Sequence, residues 1–118
     1  MRWSTLGTVT LGYEWRLLDA VAIGTQTFRI TQSWTKKPAR GYGLISQLYV
    51  LPEGSVEYFG TKRLYPSTET RIVDLLIPHD YYDAGIVLRY IAVRFTSNTL
   101  AQVPDLNWKV TVDEFYGE

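Results

Sequence analysis

Apolar and polar residues alternate with period two along most of the chain. In Thr27-Phe28-Arg29-Ile30-Thr31-Gln32-Ser33-Trp34, residues Phe28, Ile30 and Trp34 fall on one face and Thr, Arg and Ser on the other. The segment Asn107–Asp113 repeats the pattern, with Trp108, Val110 and Val112 on the apolar side. A side chain every second residue on the same face is the geometry of a half-buried β-strand. The same reasoning predicts strands over 6–11, 14–18, 43–51, 56–59, 61–65, 71–77 and 87–95. No window carries an apolar stripe at helical spacing, so helix is limited to single turns at 14–19 and 80–84.

Turn-forming residues separate these runs. Gly12, Gly24, Lys37-Pro38-Ala39-Arg40-Gly41, Pro52-Glu53-Gly54, Tyr65-Pro66-Ser67, Pro78-His79-Asp80, Ala84-Gly85, Ser97-Asn98 and Pro104-Asp105 are such clusters. They offer fixed or positive φ and short side-chain caps that strand interiors do not need. Pro52-Glu53-Gly54 predicts a hairpin that pairs 44–51 with 55–59. Turn clusters roughly every 8–15 residues are the spacing of a sandwich or barrel. We therefore expect an all-β, jelly-roll-like antiparallel β-sandwich of about eight strands, one domain over 1–118.

Three strands are apolar on both faces. Leu44, Leu48 and Val50 oppose Ile45, Tyr49 and Leu51, and Ile91, Val93 and Phe95 oppose Leu88, Tyr90 and Ala92. In 71–77, Val73, Leu75 and Ile77 oppose Ile72 and Leu76. A two-layer sandwich covers only the inner face, so a second apolar face calls for loops, a terminal segment or a partner. Self-association is the expectation, with Ile45, Tyr49, Leu51, Leu88 and Tyr90 as the candidate oligomer interface. Asp74 and Arg89 interrupt these faces and are expected at sheet rims, where they reach water.

Composition narrows the chemistry. The chain holds 118 residues with 12 basic and 12 acidic groups, no cysteine and one histidine. Residues 1–63 carry eight basic and four acidic groups, and 64–118 carry four and eight, so the halves are offset by +4 and −4. They either neutralise each other within the fold or present patches of opposite sign to neighbouring copies. Without cysteine there is no disulfide or thiolate site, and one histidine excludes multi-histidine zinc sites within the chain. His79 lies in a turn and no Gly-x-Ser-x-Gly elbow surrounds any serine. Asp80 and Asp83 are too few for a calcium loop, and Asp113 and Glu114 point to opposite faces of one strand. We expect no enzyme, cofactor or metal site.

Binding is the remaining chemistry. The 35–43 loop gathers Lys36, Lys37 and Arg40 between Trp34 and Tyr42, and Tyr81 and Tyr82 form a second aromatic pair. Tyr58 and Tyr65 also lie near strand ends, while Trp3 and Trp15 come early in the chain. Aromatic faces of this kind stack on sugar rings, or on nucleic-acid bases where basic residues accompany them. Three positive charges in a neutral chain make nucleic acid an improbable partner. The first residues show neither a basic n-region with an apolar core nor a membrane-length apolar run. A leaderless product without membrane contact, cytoplasmic at synthesis, is expected. Its leading role is a self-associating subunit of a larger protein assembly, such as a phage or virus particle. The alternative is a small carbohydrate-binding module.

Overall fold

In the computed structural model the chain forms eight strands and, among the described residues, no helix. The described residues are 2–21, 25–36, 38, 40–66, 70–75, 88–97 and 107–116, with backbone alone at 88 and 116. The strands are β1 (Arg2–Thr10), β2 (Arg16–Ala20), β3 (Thr27–Ser33), β4 (Tyr42–Val50), β5 (Val56–Leu64), β6 (Thr70–Asp74), β7 (Leu88–Thr96) and β8 (Lys109–Tyr116). Sheet A runs β1-β8-β3-β6 and sheet B runs β2-β7-β4-β5, all pairs antiparallel. First pairs with last, second with seventh, third with sixth and fourth with fifth. That nesting is the jelly roll.

The alternation read from the sequence becomes the core. Phe28 and Ile30 from β3, Val110 and Val112 from β8 with Trp108 before it, and Val73 from β6 turn inward from sheet A. Ile45 from β4, Leu64 from β5, Leu18 from β2 and Ile91, Val93 and Phe95 from β7 meet them from sheet B. The predicted hairpin forms, with Val50 opposite Val56 across the Leu51–Ser55 turn. The separately predicted strands 56–59 and 61–65 are one strand. Gly60, at φ 70°, takes the extra residue of a β-bulge between Phe59 and Lys62 where a side chain would be strained.

Two sequence expectations are overturned. Ile45 and Tyr49, expected on the outer face, are fully buried on the inner one, opposite Val93 and Arg89. Both faces of β4 are apolar, so period two could not tell them apart; the larger residues went inside. The Tyr49 hydroxyl is accommodated by donating to Gln47 Oε1 at 3.3 Å. Arg89 does not reach water from a rim. It is 2% exposed and donates to the Thr25 carbonyl. Asp74 is exposed, as expected, and accepts from the Thr27 hydroxyl at 2.6 Å.

Nesting interleaves the two halves of the chain. Strand β8, from the acidic half, lies between β1 and β3 of the basic half. On the outer face of sheet A, Asp113 Oδ2 accepts from Arg29 Nε at 3.1 Å and Nη2 at 3.0 Å, while Oδ1 accepts from Thr5 Oγ1 at 2.6 Å. The Arg29 guanidinium also lies 4.7 Å over the Trp3 ring. Three strands are thereby stitched by one carboxylate.

Trp108 is the largest fully buried side chain, and its indole N–H donates to Gln32 Oε1 at 3.0 Å. Gln32 Nε2 in turn donates to the Tyr65 carbonyl at 3.1 Å, tying β3 to the end of β5. Gln32→Leu would leave the indole N–H buried without this acceptor, at a cost of about 1–3 kcal/mol. Urea unfolding should show a lower midpoint at unchanged m-value.

Candidate functional site

One end of the sandwich is built from aromatic rings. There β3 delivers Trp34, the approach to β8 delivers Trp108 and the end of β7 delivers Phe95. Trp34 and Phe95 meet Trp108 edge-on at centroid distances of 6.1 and 6.0 Å, and Tyr13 meets Phe95 at 5.5 Å. Backbone closes the same end: Leu11 N–H donates to the Trp108 carbonyl at 2.8 Å, and Phe95 N–H to the Gly12 carbonyl at 2.7 Å. Segment 11–12 thus spans both sheets.

A more open cluster lies at the same end of sheet B. The register Gly43 opposite Leu64 brings Tyr42, at the start of β4, beside Tyr65, just past β5. Their rings lie 6.2 Å apart, tilted by 45°. Arg63 places its guanidinium 4.3 Å over the Tyr42 ring and makes a long 3.5 Å hydrogen bond to the Tyr65 hydroxyl. That hydrogen bond, and then the neighbouring Tyr42 phenol, hold the Arg63 guanidinium above its ordinary pKa. Arg71 Nη1 donates to the Arg63 carbonyl at 3.3 Å, adding a second guanidinium to the rim. A flat ring pair with cationic edges suits ligands that offer a CH face and hydrogen-bond acceptors.

The residues singled out from the sequence divide between core, rim and undescribed chain. Tyr42 joins the cluster. Trp34 is half-buried against the core, so its ring supports the end more than it faces outward. Lys36 and Arg40 are exposed on the 35–43 loop, whose first residue donates from its backbone to Asn107 Oδ1 at 3.2 Å. Lys37, Tyr81 and Tyr82 lie outside the described residues, as do His79, Asp80 and Asp83. Sequence patterning did not single out Arg63. The register that sets it beside Tyr42 depends on the Gly60 bulge, which alternation alone does not reveal.

A second surface covers the outer face of sheet B. Trp15, ahead of β2, stacks on Tyr58 of β5 with centroids 4.9 Å apart and planes 22° apart. These residues belong to opposite edges of the sheet, so their rings must meet above the central strands β7 and β4. The directly paired Ser46 and Ala92 beneath are small and fully buried. Arg94 lies 5.7 Å from the Trp15 ring. Around this roof Leu17, Val56 and Tyr58 are 49%, 53% and 43% exposed. Of the proposed interface residues, Tyr90 is half-buried on this face opposite Leu48, and Leu51 is half-buried in the hairpin turn. For Leu88 only the backbone, paired with Val50, is described.

Among the described residues no group of three or more His, Asp or Glu side chains could hold a metal ion, and no helix is long and apolar enough to cross a membrane. No known protein family matches the chain, and no curated protein does. Its fold is similar to part of Pseudomonas aeruginosa AlgX, with a TM-score of 0.54 at 10% identity. The superposition covers 98% of this chain and 26% of that one. Likeness at that identity concerns the fold alone.

The 35–43 loop enters β4 through Gly41, at φ 85°. A Cβ there would sit 2.3 Å from Phe95 Cζ and 2.7 Å from the Thr96 carbonyl oxygen. Gly41→Ala should therefore lose roughly 1–3 kcal/mol from the backbone alone, and more from displacing Phe95. Thermal unfolding should show a much larger drop than Gly54→Ala, where a Cβ meets nothing within 4 Å.

Proposed function

We propose that the chain is a non-enzymatic assembly protein, a self-associating jelly-roll subunit or accessory piece of a larger complex such as a phage or virus particle. One observation carries this reading: Leu17, Val56 and Tyr58 all stand exposed on the outer face of sheet B. Beneath them Leu48 and Ala92 are already buried on that same face. A sheet face left to solvent normally alternates to polar residues, whereas an apolar patch is a contact surface. The occupant that carries the same patch and can meet it symmetrically is a second copy. Size-exclusion chromatography with light scattering at micromolar concentration should return a closed oligomer. A strict monomer would overturn the proposal.

A second reading is favoured by the Tyr42–Tyr65–Arg63 cluster, whose Tyr65 ring is exposed. In it the chain is a small carbohydrate-binding module. Sugar CH faces would stack on the tyrosine rings, and Arg63 and the phenols would bond the hydroxyls. A glycan array should then give hits that Tyr65→Ala weakens about tenfold or more, the equivalent of ~1.4 kcal/mol. Array-wide silence removes this reading and leaves the assembly proposal untouched.

A further inference from the structure

Strand β5 is an outer strand of sheet B: β4 takes one of its edges and no described strand takes the other. Nine residues is long for an edge that no described strand covers, since such an edge presents a row of backbone donors and acceptors to any passing strand. Its two halves are managed differently. From Gly60 onward the bulge breaks the regular edge, and Lys62 and Arg63 add charge. There Lys62 Nζ donates to the Asp74 carbonyl at 2.5 Å, and Arg71 donates to the Arg63 carbonyl at 3.3 Å. The half Val56–Phe59 has no bulge, carries a single charge at Glu57 and pairs regularly with β4.

The hydrogen-bond phase of that half can be worked out. Leu51 N–H donates to the Ser55 carbonyl at 2.9 Å, so Leu51 and Ser55 face each other across ladder bonds. Antiparallel pairs alternate between bonded and non-bonded. Val56 and Tyr58 therefore sit in non-bonded pairs with Val50 and Leu48, and turn their own N–H and C=O away from β4. The same two residues carry the exposed apolar side chains.

From this we infer that β5 pairs with β5 of a second copy, antiparallel and centred on Tyr58, to make one continuous eight-stranded sheet. The inference rests on the self-association proposed above and gives it a surface and a symmetry. Directly opposed residues share a face, so a two-fold axis must pass through a residue position. Centring on Glu57 would set two glutamates against each other. Centring on Tyr58 gives two reciprocal N–H to C=O bonds between the tyrosines, places Glu57 opposite Phe59 and Val56 opposite Gly60. The Trp15–Tyr58 stacks of the two copies then join in one aromatic band across the seam.

The absence of cysteine makes the test clean. Bonded pairs place Cα atoms about 5.5 Å apart, within disulfide reach. Tyr58→Cys should give a covalent dimer under mild oxidation, whereas Ile72→Cys, exposed on sheet A, should not. Tyr58→Pro removes only an outward N–H from the backbone, so it should shift the chain to monomer while it stays folded. On the unaltered protein, amide exchange at 56–58 should slow as concentration rises through the association range. An oligomer that persists in Tyr58→Pro, fails to cross-link through Tyr58→Cys, or leaves 56–58 unprotected overturns the edge pairing and spares the assembly proposal. A strictly monomeric native chain sinks both.

Discussion

The buried indole of Trp108 is the constraint from which the rest of this sandwich follows. Two sheets can close on each other only if something fills the space at their ends, and here an indole with no exposed surface does so. A buried indole has one N–H that must be bonded. Gln32 meets that demand with its carbonyl and spends its amide on the Tyr65 backbone. The core therefore dictates where β5 ends. That position in turn sets Tyr65 against Tyr42 and brings Arg63 over the Tyr42 ring. The open aromatic cluster is a surface consequence of an interior hydrogen bond.

Much of the fold was legible in the sequence because period two and turn chemistry agree. Phe28, Ile30, Trp108, Val110 and Val112 alternate cleanly and all turn inward. The Pro52-Glu53-Gly54 turn fixed its hairpin. Legibility failed where a residue's role depends on a neighbour distant in the chain. Gly60 looks like a break between two strands, yet a positive φ lets it serve as a bulge that keeps one strand continuous. On β4 the two faces are equally apolar by composition. Only pairing with Val93 shows that Ile45 lies inside.

The polar residues tell the same story in reverse. The inner face of sheet B ends in Gln47, Tyr49 and Arg89, all buried, and Glu114 is buried on the facing side of sheet A. A rule that sends charges to water placed Arg89 at a rim. In the fold it reaches instead to the Thr25 carbonyl just ahead of β3 and so anchors the approach to that strand. On the outer face of sheet A, Arg29 and Asp113 come from opposite halves of the chain. The +4 and −4 offset is thus at least partly neutralised inside one chain, because nesting sets acidic-half strands β8 and β7 between basic-half ones. Charge attraction is accordingly a poor account of how copies would meet.

Edges supply a better one. A jelly roll leaves two seams between its sheets, and this chain treats them unequally. At the β1–β2 seam, Leu6 and Leu18 bury themselves and the 11–12 backbone bonds to both sheets, so the closure is apolar and hydrogen-bonded. At the β5–β6 seam, among the described residues, long cationic side chains, Lys62 and Arg71, reach backbone carbonyls near one end. Among the described residues β6 has five residues against nine in β5. On β5 the side chains of Val56 and Tyr58 stand exposed. The exposed edge of β5, more than composition or net charge, is where the proposed pairing of two copies would find backbone and apolar surface to share.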